Sequence, residues 1–77
     1  METSFRTRYV TLLRSADEIA EVVDRSPRGL RTEIRFGVSC RVVQKLFPEY
    51  PFGSENFLTL TYKLYDRALA RRPIVVD

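Results

Sequence analysis

The run from Gly29 to Phe47 constrains the fold more than any other stretch, because it satisfies two incompatible periodicities. If the backbone turns at Gly37, Pro27 to Phe36 forms one helix with Leu30 and Ile34 inward. Ser39 then caps a second helix, Ser39 to Phe47, with Val43, Leu46 and Phe47 on the core side and Arg41, Gln44 and Lys45 outward. If the backbone stays extended, Leu30, Thr32, Ile34, Phe36, Val38, Cys40 and Val42 alternate with Arg31, Glu33, Arg35, Gly37, Ser39 and Arg41, the period of a half-buried strand. The first reading leads to an all-α fold, a small four-helix bundle with a helix-turn-helix. The second leads to an α+β fold with residues 29–43 as a strand packed on a helix over 15–25.

The flanking segments favour helices. Tyr9, Leu12, Leu13, Ala16, Ile19, Ala20 and Val23 fall on one stripe and predict a single long helix over residues 5–25. A competing cut lies at Ser15, where Ser15 and Glu18 have the spacing of a capping box; Phe5 to Leu13 then becomes a strand. Ser26-Pro27 ends that helix and is itself a helix start, although Gly29 weakens the second helix and would equally serve a turn into a strand. Pro48 stops the chain's middle segment, and the connection from Phe47 to Gly53 carries three aromatics and two prolines, stiff and apolar for a loop. Ser54 caps a last helix, Glu55 to Arg72, with Phe57, Leu58, Thr61, Leu64, Tyr65, Ala68 and Leu69 as its apolar stripe. Leu60 and Tyr62 fall off that stripe and offer surplus apolar area for a partner. Pro73 precedes a tail, Ile74 to Asp77, that reads as frayed or as a short added strand.

A chain of 77 residues is one domain, 1–77, with a small core, so a homo-oligomer or a protein partner is expected to supplement its stability. The formal charge is +3, and eleven of the thirteen basic residues are arginine, the side chain suited to bidentate phosphate and guanine contacts. Arginines that cover helix surfaces and pair with the ten carboxylates would give the same composition. The acidic run Asp17, Glu18, Glu21 and Asp24 reads as a solvated helix face.

Catalysis is not expected. There is no histidine, no glycine-rich phosphate loop and no metal-ligand set, so neither a cofactor nor a small-molecule substrate is anticipated. Cys40, the lone cysteine, reads as a small hydrophobe rather than a nucleophile. The N-terminal residues lead into no long apolar run, and together with the lone cysteine this predicts a soluble, cytoplasmic protein without a membrane span.

Two nucleic-acid motifs compete for the same stretch. Arg28 to Phe36 begins like the RNA-binding sheet signature but lacks its stacking aromatics, and its closing Phe36 falls one position late. Gly37-Val38-Ser39, with Val43, Leu46, Phe47 and Pro48 after it, resembles the turn and reading helix of helix-turn-helix regulators. With Ser54 and its long helix, the segment from Glu33 to Leu69 looks similar to the DNA-binding domains of TetR-type repressors. That resemblance implies an all-helical fold, a homodimer on palindromic duplex DNA and a regulatory role. It departs from the family pattern at Thr32, Glu33 and Gln44, and the large ligand-binding domain of those repressors is absent.

On the resemblance, Ser39 presents a helix amide end to a phosphate, Arg41, Gln44 and Lys45 read bases, and Arg28, Arg31 and Arg35 neutralise the backbone. The rival expectation is a protein-interaction module, or a small subunit of a larger assembly, with Tyr50, Phe52, Leu60 and Tyr62 as the partner-binding residues.

Overall fold

The chain does not turn at Gly37. In the structure, a computed structural model that describes residues 4–71, the backbone is helical from Arg31 to Leu46 without interruption. The elements are α1, Phe5–Arg14; α2, Ala16–Asp24; a 3-10 turn, Arg28–Leu30; α3, Arg31–Leu46; and α4, Glu55–Ala70. No strand occurs among the described residues, which corrects the α+β alternative with residues 29–43 extended. The tail from Ile74 to Asp77 and the helix end placed at Arg72 lie outside the described residues.

The helix-turn-helix expected over Gly37-Val38-Ser39 is corrected by the same observation. A glycine inside a helix costs roughly 1 kcal/mol relative to alanine, whereas burying one large apolar side chain contributes about 1.5–3 kcal/mol. Cys40, Val43 and Phe47 are buried downstream of the glycine, and Ile34, Phe36, Val38, Val42 and Leu46 pack against the core on either side of it. Packing therefore outweighs the local preference to break.

Where the chain does interrupt its helix is Ser15. Its amide is shared between the carbonyls of Thr11 and Leu12, at 3.2 and 3.1 Å, and its hydroxyl donates back to the Thr11 carbonyl at 3.0 Å. Back-bonding of this kind often accompanies a bend, and the capping box with Glu18 is not formed because Ser15 keeps helical angles and no side-chain cap bond. The buried stripe Leu12, Ala16, Ile19 and Val23 passes straight through the joint. α1 and α2 thus act as one jointed arm, and the described residues form three helical arms rather than the four-helix division expected from the sequence.

The arms run antiparallel in chain order. Phe5 meets Phe47 at one end of α3, ring centres 5.3 Å apart, while Arg31 at the other end reaches the carbonyls of Asp24 and Ser26. Along α4, Phe36 lies against Tyr62 and Tyr65, and Phe57 and Leu64 close the core. Ser54 caps α4 by accepting the Phe57 amide at 3.4 Å. No described helix is long and apolar enough to cross a membrane.

Candidate binding cleft

Continuity of α3 sorts the seven proposed DNA-contacting residues into two groups. Three are engaged internally. Arg31 donates to the carbonyls of Ser26 and Asp24, at 3.2 and 3.0 Å, satisfying the C-terminal end of α2 as a cap. Arg35 is only 3% exposed, with its guanidinium 5.5 Å from the centre of the Tyr65 ring and its Nε without a hydrogen-bond partner among the described residues. Ser39 is fully buried in mid-helix, where its hydroxyl donates to the Arg35 carbonyl at 2.7 Å instead of capping a helix start. The phosphate-facing roles expected of Arg31, Arg35 and Ser39 are corrected accordingly.

The other four are exposed, but not together. Arg28 sits in the 3-10 turn, thirteen residues before Arg41, which at 1.5 Å per helical residue puts it roughly 20 Å away. Arg41, Gln44 and Lys45 share the outward face of the C-terminal half of α3, as the helical spacing predicts. With Pro48, Tyr50, Pro51 and Phe52 they line one open cleft of about 740 Å³.

The loop that forms the far wall is shaped by its own sequence. The amide of Tyr50 donates to the Phe47 carbonyl at 3.1 Å and that of Ser54 to the Pro51 carbonyl at 3.0 Å, two successive turns. Gly53 closes the second with φ of 81°, a left-handed angle that disfavours any residue with a Cβ. The three aromatics divide the work between core and surface. Phe47 is buried; Tyr50 is half-buried and stacks on it, ring centres 5.8 Å apart and planes 1° from parallel. Phe52 rests one edge on Phe57 at 4.9 Å and leaves 68% of its surface exposed.

Arg8 holds the start of this loop, a role that sequence reasoning missed. Its guanidinium donates to the Leu46 carbonyl at 3.1 Å and to Glu49 at 2.8 Å, and lies 4.5 Å from the centre of the Phe47 ring. The Glu49 carboxyl is held below the usual carboxylate range by its own backbone amide and then by Arg8. No local signal connects residues 38 to 41 positions apart.

Of the other partner-binding residues, Tyr62 is 52% exposed beside Phe36, whereas Leu60 is buried in the core. Leu60 comes three residues after Phe57 and four before Leu64, so the inner face of α4 is wider than the stripe read from the sequence. Cys40 is buried, and burial pushes its thiol up, which keeps it protonated and unsuited to attack. Among the described residues, no group of three His, Cys, Asp or Glu side chains gathers where a metal could be held.

Neither a family model, a curated protein nor a solved structure matches this chain.

Proposed function

We propose that the chain is a non-catalytic protein-interaction module that takes an extended, acidic peptide segment in the cleft between the C-terminal half of α3 and the Pro48–Phe52 loop. The observation that carries this reading is the exposed Phe52 ring beside Arg41, Gln44 and Lys45 around one open cleft. Arg41 and Lys45 suit partner carboxylates, the Gln44 amide can both donate to and accept from a peptide backbone, and Tyr50 and Phe52 offer rigid rings for an apolar side chain. Two prolines and the Arg8 clamp hold the far wall in place, which lowers the ordering cost of binding.

The duplex-DNA regulator remains the second reading, favoured by the same outward trio of Arg41, Gln44 and Lys45. It loses the bend at Gly37 and three of its seven contacts, and two clustered cations form a small footprint for a duplex.

A peptide-display selection against the full chain, then NMR titration with the enriched peptides and with a DNA duplex at low salt, separates the two. Acidic peptides are expected to shift the amides of Gln44, Lys45 and Phe52. Phe52→Ala and Lys45→Glu should each weaken that binding by about tenfold, the loss of roughly 1.4 kcal/mol that one anchor residue commonly supplies. Shifts caused by duplex and by no peptide would transfer the cleft to nucleic acid.

A further inference from the structure

Gly37 is exposed in the middle of a sixteen-residue helix, and a Cβ built on it would meet nothing among the described residues within 4 Å. Nothing among the described residues therefore calls for a glycine there, although the residue costs the helix stability. One turn before it, on the same outward face, lies Glu33; one turn after it lies Arg41, and both are exposed. Neither is in an ion pair among the described residues, where the salt bridges are Arg8 with Glu49 and Asp17 with Arg71. Eight residues apart on one helix, they are about 12 Å from each other along the axis and cannot pair within the chain.

We propose that α3 docks on α3 of a second copy of this chain, antiparallel and crossing at Gly37. A two-fold axis through Gly37 brings Glu33 of each chain to Arg41 of the partner subunit, so that two ion pairs form by symmetry. A parallel crossing would instead set like charge on like charge, and only the antiparallel arrangement is self-complementary. The missing side chain at Gly37 lets the two backbones approach inside the about 8–10 Å usual for packed helices. Phe36, packed on the 52% exposed Tyr62, supplies apolar surface along the flank of the crossing.

A single helix crossing buries less than the roughly 800 Å² per partner of a standard interface, which makes it a weak, concentration-dependent association. The inference does not rest on the peptide cleft: with Arg41 engaged across the dimer, the cleft keeps Gln44, Lys45, Tyr50 and Phe52.

Sedimentation velocity of the 77-residue chain over about 5 to 500 µM tests it, with circular dichroism to verify that each variant folds. Wild type should double in mass across the series. Glu33→Arg and Arg41→Glu should each weaken the dimer about tenfold or more, since each replaces both pairs by like-charge contacts. The double variant Glu33→Arg/Arg41→Glu should regain the wild-type constant to within a few-fold, because the pairs re-form with their signs exchanged. Gly37→Leu should remain helical and monomeric. A chain that stays monomeric throughout, a dimer indifferent to both reversals, or a double variant as weak as the single ones would each overturn the proposal. None of these outcomes depends on peptide binding, which is read with Phe52→Ala and Lys45→Glu.

Discussion

Ser15 and Gly37 are two places where the sequence invites a helix to break, and the chain answers them differently. At Ser15 the side chain offers the backbone another partner: its hydroxyl takes the Thr11 carbonyl, the amide becomes shared, and the arm acquires a joint. At Gly37 there is only extra freedom and no competing bond, and two residues to either side Arg35 and Ser39 are buried in the interior. The same hydroxyl-to-carbonyl bond at Ser39 leaves α3 unbroken, so neither a competing hydroxyl nor a loosening glycine interrupts a helix whose two flanks are anchored.

The largest effect expected from that difference belongs to Gly37→Pro. In the interior of a continuous α3, proline removes an amide donor and clashes with the preceding turn, so a loss of about 3 kcal/mol or more is expected in urea denaturation. A turn at Gly37 would tolerate the change far better, and a loss well under that figure would count against the single helix.

Next in size is the anchor beside it. Arg35→Ala should cost roughly 2–3 kcal/mol through lost packing against Tyr65, while Arg35→Met, which keeps the stem and removes a buried charge without an ion-pair partner among the described residues, should lie within about 1 kcal/mol of wild type. If both variants were neutral, Arg35 would not be an interior residue.

A smaller change of opposite sign is expected for Gly37→Ala. With open space around the new methyl group and helical backbone angles, the substitution should raise stability by about 0.5–1 kcal/mol, visible as a higher urea midpoint with an unchanged slope.

The smallest effect lies at the other break, in the first turn after Ser15. Asp17 is paired with Arg71, whose hydrogen bonds hold its carboxyl below the usual range. A depressed folded-state pKa contributes stability that is complete above the ordinary aspartate range and is lost as pH falls through the folded value. The difference in Tm between wild type and Asp17→Asn should therefore be slight at neutral pH and vanish in acid. A difference that grew toward low pH would contradict the pairing.

Much of the fold was legible in the chain. The stripe Leu12, Ala16, Ile19 and Val23, the stop at Pro48, and the Ser54 cap with Phe57, Leu64 and Ala68 behind it all stand where helical spacing and capping chemistry put them. What misled was local chemistry at Gly37 and Ser39, since both carry turn and cap preferences that tertiary packing overrode. The same packing took Arg35 inside, against the ordinary expectation for arginine. The cleft was legible only in halves. Arg41, Gln44 and Lys45 on one side and Tyr50 and Phe52 on the other were separately marked, but their meeting depends on how the Pro48–Gly53 turns and the distant Arg8 fold the loop back over α3.

Everything placed on the outward face of α3 requires one unbroken helix, and NMR reads that directly. Cα secondary shifts should stay helical from Arg31 to Leu46, with the amides of Val38 to Arg41 exchanging slowly. Coil-like shifts at Gly37 to Ser39, with those amides exchanging as fast as the Pro48–Gly53 loop, would contradict the continuous helix and restore the turn.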